Sequence, residues 1–186
     1  MTFKEFITKS IRKIFLCWSK LIQRDYVAYH RFCGVKIGTD CSVKSWNFGS
    51  EPYLISIGNH VQITADVKIF THGGGWIIRK EDKTFDAFGT VKIGNNVYVA
   101  NNVLIMPGVT VGDNVLIGAG SVVTKSTPSD VVIAGNPAHI VSGIEEYKEK
   151  ILAYNTHTKL LSEKQKREVL LGSNCKLFKK PYIKQK

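Results

Sequence analysis

No apolar run in the sequence of 186 residues approaches the length that crosses a bilayer. The longest such run near its start is the segment from Ile14 to Trp18. The first 24 residues interleave charged and apolar side chains and show no small-residue cleavage site, so we expect no secretory signal. The 4 cysteines have no CxxC spacing, which favours reduced cysteines that serve packing over a disulfide framework or a metal site.

Acidic residues are scarce relative to basic ones, with 15 Asp and Glu against 26 Lys and Arg, and the formal net charge is +11. The excess lies at the two ends, because residues 1–24 carry +5, residues 144–186 carry +6 and the middle is neutral. The neutral middle also lacks a basic groove studded with aromatic residues, which argues against a nucleic-acid partner. The basic ends are instead candidates for contact with anionic groups, or serve only solubility.

A β-branched aliphatic residue recurs every six positions through this neutral middle. The uninterrupted series is Ile93, Val99, Ile105, Val111, Ile117 and Val123. Three residues after most of them stands Asn or Gly, which tolerates the positive φ of a tight corner. Each hexad therefore predicts a very short strand and a corner, with three hexads to a round of about 18 residues. Rounds stacked about 4.8 Å apart would bury the apolar faces and form the core.

The period extends upstream if two insertions, residues 47–54 and 73–90, are allowed. The earlier members of the series are Ile37, Val43, Ile57, Ile63 and Ile69. Both insertions fall at a corner, where a loop leaves the repeat without disturbing the inward residues. Counting hexads places those that start at Val43 and Ile69 in one column. We therefore predict that both loops leave the same corner, one round apart, and pack together with His72 at the root of the longer loop.

Helical patterns flank the repeat. Residues 3–24 space their apolar side chains as an amphipathic helix does, and residues 144–154 and 162–171 also have helical patterns. The predicted organisation is an N-terminal helical segment over 1–33, the repeat domain over 34–143, and a C-terminal helical segment with a basic tail over 144–186.

The repeat also carries a family resemblance. The run IGNNVYVANNVLIMPGVTVGDNVLIGAGSVVTKSTPSDVVIAGNPAHIV over residues 93–141 resembles the hexapeptide-repeat acyltransferases, in particular the galactoside/maltose O-acetyltransferase branch. SEPYLISIGNHVQI (50–63) and FTHGGGW (70–76) resemble the capsule and O-antigen polysaccharide acetyltransferases. The resemblance covers about residues 34–145. It implies a mainly β fold, a left-handed parallel β-helix, and acetyl-CoA-dependent O-acetylation of a sugar hydroxyl in polysaccharide biosynthesis.

His72 is the candidate catalytic residue. In the resembled enzymes the histidine at this Thr-His root is the general base for the acceptor hydroxyl, and neutral imidazole suits that proton transfer. His60 holds the same hexad position but adjoins no long loop, so we expect it to be structural. Relatives often have Asp after the histidine, where this chain has Gly73. The candidates to orient the imidazole are Glu51, Asp82 and Asp86.

The binding residues are predicted on the loops and corners. Tryptophan stacks on sugar faces and a carboxylate accepts hydroxyl protons, so the candidates for acceptor binding are Glu51, Tyr53 and Trp76. Solvation of Glu51 and a loop-anchoring role for Trp76 are equally open. Asn101 and Ala119 hold one hexad position one round apart and could wall a groove for an extended pantetheine arm. The resemblance implies that the coenzyme A contacts are Asn101, Ala119, Thr124, Lys125, Asn136 and Pro137.

Three functions are compatible with the sequence: sugar O-acetylation, N-acetylation of an amino sugar, and a non-enzymatic β-helix scaffold or membrane-surface adaptor. Acetyl-CoA is the expected acyl donor. The hexads carry no trio of histidines of the kind that binds zinc, so we expect no metal. The resemblance further implies a homotrimer with each active site between neighbouring subunits. We expect a cytoplasmic protein, with weak peripheral association at the inner membrane face through the N-terminal helix.

Overall fold

Two helices precede the strands in the computed structural model, which describes residues 3–18, 26–173 and 175–180. Helix α1 spans Phe3–Trp18 and helix α2 spans Val27–Cys33. The predicted continuation of the first helix to residue 24 lies outside the described residues. The Phe15 ring of α1 contacts the Phe32 ring of α2, with centroids 5.3 Å apart.

Strands of mostly two or three residues follow the helices. They are β1 (Lys36–Ile37), β2 (Ser42–Val43), β3 (Asn47–Phe48), β4 (Ile55–Ile57), β5 (Gln62–Ile63), β6 (Lys68–Ile69), β7 (Val91–Ile93), β8 (Tyr98–Val99), β9 (Leu104–Ile105), β10 (Thr110–Val111), β11 (Leu116–Ile117), β12 (Val122–Val123), β13 (Val131–Gly135) and β14 (Ala138–Gly143). Their sheet orders are β1-β4-β7-β10, β2-β5-β8-β11-β13-β14 and β3-β6-β9-β12. Strands β1 to β12 thus enter the three sheets in turn, β13 and β14 both join the second sheet, and pairing is parallel except between β13 and β14. This arrangement of mainly parallel sheets fits a β-helix.

The six-residue period sets the stacking register, as predicted. Ile93 pairs with Val111, Val99 with Ile117, and Ile105 with Val123, in each case one round of three hexads apart. The side chains of these residues are at most 3% exposed. In most strands a second buried apolar residue stands two positions before the inward residue, as Val97, Val103, Val109 and Val115 do. Most hexads therefore supply two residues to one continuous core.

Ile105 lies at the centre of this core and gives a stability test. Its side chain is fully buried between Ile69 and Val123 of the neighbouring strands. We expect Ile105→Ala to lower the free energy of unfolding by about 2–5 kcal/mol, because it removes buried methylenes and leaves a cavity. Ile77→Ala is the matched control, since Ile77 is 80% exposed, and it should change stability by less than about 0.5 kcal/mol. Equal denaturation midpoints for the two variants would contradict this packing.

One part of the predicted register is wrong. Asn47–Phe48 is not part of an insertion but forms β3, and Phe48, not Val43, stacks on Ile69. Val43 instead pairs with Ile63. The physical reason is a corner one residue shorter than the usual hexad, in which buried Ser45 donates a hydrogen bond from its hydroxyl to the Val67 carbonyl at 2.5 Å. The first loop therefore begins at Gly49.

The second loop and the C-terminal unit contain the remaining helices. Helix α3 (Gly75–Ile78) lies in the loop between β6 and β7. The chain divides into compact units over 1–144 and 145–186, and helices α4 (Ile144–Leu152) and α5 (Glu163–Leu171) occupy the end of the chain. Ser162 and Gln165 form a capping box at the start of α5. Within the described ranges, no helix is both long and apolar enough to cross a membrane.

Candidate active site

Two adjacent strands of the third sheet bring Glu51 and His72 together. Phe48 pairs with Ile69, and each strand is followed by a loop whose third residue is Glu51 or His72 respectively. Register alone therefore places the two side chains at one corner. Their distance is 2.8 Å from His72 Nδ1 to Glu51 Oε2, and the Thr71 hydroxyl donates to the same oxygen at 2.6 Å.

The Glu51 carboxylate is held in its ionised form. Burial acts to raise its pKa, but hydrogen bonds from Thr71 and His72, together with the positive charge of His72 when its ring is protonated, outweigh burial and lower the pKa below its ordinary value. An ionised carboxylate only accepts hydrogen bonds, so His72 Nδ1 carries the hydrogen that faces it. The lone pair of the neutral ring then lies on Nε2, which is the atom available to take a proton.

A cavity of about 370 Å³ adjoins this pair. His72 and Thr71 line it on one side, and Asn47, Gly49 and Ser50 line it on the other. The His72 side chain is 40% exposed, whereas that of Glu51 is 14% exposed. The imidazole is thus open to an incoming group while its carboxylate partner is covered, an arrangement suited to a general base.

The base of the longer loop holds His72 in place. The Gly89 amide donates to the Thr71 carbonyl at 2.8 Å, and His72 forms an isolated β-bridge with Phe88. The Phe88 ring meets the imidazole edge to face, with centroids 5.6 Å apart. Sequence reasoning missed Phe88, because nothing in its spacing indicates that the returning end of the loop pairs with the departing end.

His60 has different surroundings. Its Nδ1 lies 2.7 Å from Asn96 Oδ1, and Asn96 in turn donates to Asn114, which donates to Asp130. This ladder of polar side chains runs along the corner that follows the first sheet, where positive-φ residues recur in each round. The expected structural role of His60 is consistent with its place in the ladder.

The other candidates to orient His72 have partners within their own loop. The Asp82 carboxylate accepts from the Thr84 hydroxyl at 2.6 Å, and the hydrogen bonds from Thr84 lower the pKa of Asp82. Asp86 pairs with Arg79 at 3.2 Å. Of the three alternatives, Glu51 is the one that contacts the imidazole.

The predicted acceptor residues do not all meet at the cavity beside His72. Tyr53 lies in a short 3-10 turn, Pro52–Leu54, and its side chain is exposed. Trp76 is the second residue of α3, is 83% exposed, and lines a separate cavity with Ile77, Arg79 and Lys80. Asn47 and Ser50 line the His72 cavity but were not predicted, because residue type alone does not distinguish them from other loop residues.

The predicted coenzyme A residues fall at two corners and one hairpin, all exposed. Asn101 and Ala119 share the corner after the second sheet, where the Gly120 amide donates to the Asn101 carbonyl at 2.9 Å. Thr124 and Lys125 follow β12 at the corner that also carries His72, two rounds further on. Asn136 and Pro137 form the turn between β13 and β14. At the first corner Ala119 is small and exposed, and a Cβ added at Gly120 would meet no atom within 4 Å, so nothing in the chain would obstruct an extended pantetheine arm at Gly120.

The described part of the chain holds no cluster of three or more His, Cys, Asp or Glu side chains placed to bind a metal ion. The 4 cysteines are free thiols.

The chain is similar to known acetyltransferases in sequence and in fold. Residues 90–125 match the family described as bacterial transferase hexapeptide (six repeats). Protein CapG of Staphylococcus aureus is 49% identical over 167 residues, which cover 87% of this chain and 95% of that protein. Galactoside O-acetyltransferase of Escherichia coli K12 is 39% identical over 98 residues, which cover 52% of this chain and 47% of that protein. A solved structure of a galactoside acetyltransferase in complex with coenzyme A superposes with a TM-score of 0.57 at 25% identity, covering 80% of this chain and 86% of the other.

Proposed function

The chain belongs to the hexapeptide-repeat acetyltransferases and is an acetyl-CoA-dependent O-acetyltransferase, and from that premise we propose that its acceptor is a sugar hydroxyl in surface-polysaccharide biosynthesis. The observation that carries the proposal is the contact of 2.8 Å between His72 and Glu51 beside an open cavity. A sugar hydroxyl is a weak nucleophile, so it needs a positioned base of this kind. The segments that resemble polysaccharide acetyltransferases contribute Ser50 and residues 70–72 to the cavity lining.

His72 moves the proton in the proposed reaction. Bound acetyl-CoA supplies an activated thioester. His72 Nε2 removes the acceptor's hydroxyl proton as the acceptor oxygen bonds to the carbonyl carbon, and Glu51 stabilises the resulting imidazolium. When the carbon–sulfur bond breaks, His72 returns the proton to the departing sulfur, which leaves an acetyl ester and a thiol. Backbone N–H groups of the stacked rounds are the proposed donors to the transient oxyanion.

The coenzyme A contacts are proposed at the positions predicted from the resemblance. Asn101 and Ala119 would wall the pantetheine groove, and the Lys125 ammonium would pair with a phosphate. Thr124, Asn136 and Pro137 complete the proposed set. Lys125→Ala should raise the KM for acetyl-CoA more than it lowers kcat, since it removes binding that the ground and transition states share.

The finer architecture is part of the same proposal. We take the hand of the β-helix to be left, and the assembly to be a homotrimer with active sites between subunits. Sedimentation equilibrium checks the trimer directly, and a monomer that retains full turnover would exclude a shared site.

Helix α1 supports weak membrane association at the inner face of a cytoplasmic membrane. It exposes a stripe at i, i+4, i+7 and i+11, namely Ile7, Ile11, Ile14 and Trp18. The surrounding segment of 24 residues carries +5, which complements anionic lipid. Sedimentation with vesicles of phosphatidylglycerol and phosphatidylcholine should show binding that falls as salt rises; equal recovery with neutral vesicles would count against it.

The function is tested by product analysis. The purified protein is incubated with labelled acetyl-CoA and a panel of oligosaccharides, nucleotide sugars and amino sugars. We expect an acetylated sugar whose label is released by mild base, because an ester is labile where an amide is not. A base-stable product would favour N-acetylation, and failure of acetyl-CoA to bind would favour the scaffold or adaptor alternative.

A further inference from the structure

A second cavity of about 270 Å³ adjoins the one beside His72. Helices α1 and α2 wall it on one side with Arg12, Tyr29 and Cys33. The other side is the corner around β3, and Asn47, Gly49 and Ser50 line both cavities. We name it the α1–α2 cavity. The two cavities are therefore neighbours that share these three lining residues.

We propose that the α1–α2 cavity binds an oxyanion, a carboxylate or a phosphate, carried by the acceptor sugar, with Arg12 as its charged donor. The inference rests on the proposed function, because it names the class of acceptor for the same site. It adds a requirement that sugar O-acetylation alone does not make, namely that the acceptor is acidic.

Arg12 supplies the first argument. Its Nε is inaccessible to water and meets no hydrogen-bond acceptor among the described residues. A buried charged donor without an acceptor is destabilising, so such groups normally have partners. Nε itself is shielded, but the Arg12 side chain also lines the α1–α2 cavity, so a ligand oxygen there would meet the Arg12 side chain. Guanidinium groups match carboxylate and phosphate geometry.

The remaining walls supply the second argument. Glu51 lies between two lining residues, Ser50 and Pro52, but its carboxylate faces Thr71 and His72. No carboxylate lines the α1–α2 cavity within the described chain, so Arg12 has no internal anion there. Burial, together with a hydrogen bond to Cys33, raises the pKa of Tyr29 to about 12, so this lining residue adds no negative charge to the cavity at neutral pH.

The side chains at the back of the cavity are already engaged. His30 Nε2 lies 2.8 Å from the Ser45 carbonyl, and the His30 ring stacks on Phe48 with centroids 3.9 Å apart. These contacts fix the β3 corner against α2. The half-exposed Trp46 ring lies at the same cavity and offers an apolar face to a sugar.

The test compares acceptors that differ in one charge. Binding of p-nitrophenyl glucuronide and p-nitrophenyl glucoside is measured by calorimetry, with UDP as a phosphate probe, in wild type, Arg12→Gln and Lys13→Gln. We expect one or both anions to bind at least about 10-fold more tightly than the neutral glucoside, and Arg12→Gln to abolish that preference. Lys13→Gln removes a neighbouring exposed charge of α1 and should keep the preference.

The outcomes separate the two claims. Equal affinity of wild type for anionic and neutral probes, or an unchanged preference in folded Arg12→Gln, overturns the oxyanion site even if sugars are acetylated. Arg12-dependent anion binding without acetyl transfer to any sugar keeps the site and overturns the proposed function. If circular dichroism shows that Arg12→Gln is unfolded, Tyr29→Phe decides, because loss of its hydroxyl should weaken anion binding about threefold or more while glucoside binding is unchanged. The glucuronide and UDP results distinguish a carboxylate from a phosphate.

Discussion

His72→Ala should lower kcat about 10²–10⁴-fold and leave the affinity for acetyl-CoA unchanged. The range is the usual contribution of a positioned general base. The loss falls on kcat because His72 accepts the acceptor's proton in the transition state and does not bind the cofactor. The measurement is release of free coenzyme A thiol in the presence of acceptor. Calorimetric titration with coenzyme A in the same variant checks that the fold and the cofactor site survive.

His60→Ala is the matched control for this prediction. Both histidines follow a strand by three residues, but His60 contacts Asn96 in the polar ladder and His72 contacts Glu51 beside the cavity. The His60 variant should retain turnover within about threefold. The His60 side chain is exposed and lies at the corner after the first sheet, whereas His72 lies at the corner after the third sheet. If both variants lose activity equally, or His72→Ala retains turnover, His72 is not the base.

The fold could be predicted from the sequence to a large extent, because every round of the repeat packs in the same way and therefore has the same sequence pattern. A β-branched residue at each sixth position fixes which side chains point inward, and the interval of 18 residues fixes which strands pair. The pairing of Ile93 with Val111, and the equivalent pairs in other rounds, could be predicted from this period alone. Such local repetition is the case in which sequence pattern and tertiary contact coincide.

The register failed at one place, around Ser45, because a shortened corner leaves no trace in the period. An aromatic residue, Phe48, occupies the inward position one residue early, and a serine hydroxyl replaces the missing corner residue by bonding to a carbonyl. Sequence spacing cannot weigh that hydrogen bond against a full hexad. The consequence for the site is large, because stacking Val43 on Ile69 would have put Trp46, and not Glu51, opposite His72.

For the candidate site, the sequence pointed to His72 but not to the arrangement of the residues around it. His72 followed from its position beside the loop, whereas the choice among Glu51, Asp82 and Asp86 depended on which way each loop turns. Loop direction is set by contacts such as that between Gly89 and Thr71, which join residues far apart in the chain. The cofactor residues and the exposed Trp76 stay predictions for the same reason.

Glu51 carries the second large effect. We expect Glu51→Gln to lower kcat about 10–100-fold and Glu51→Ala somewhat more. Glutamine can keep one oxygen toward His72 and Thr71 but loses the charge that stabilises the imidazolium, whereas alanine also frees the ring to rotate. Asp86→Asn is the control, because it removes a loop carboxylate that pairs with Arg79, and its kcat should stay within about twofold.

The two roles considered for Glu51 predict different kinetics. A residue that positions His72 changes kcat, whereas a residue that binds the acceptor raises the acceptor KM at constant kcat.

Stability gives a readout independent of turnover. Because the folded-state pKa of Glu51 lies below its ordinary 4.5, the ionised group stabilises the fold above that pH, and this contribution is lost as pH falls through the lowered value. Glu51→Gln should remove that acid-side loss. Retention of both the wild-type kcat and the wild-type acid profile would show that the Glu51–His72 contact neither positions the base nor holds the loops together.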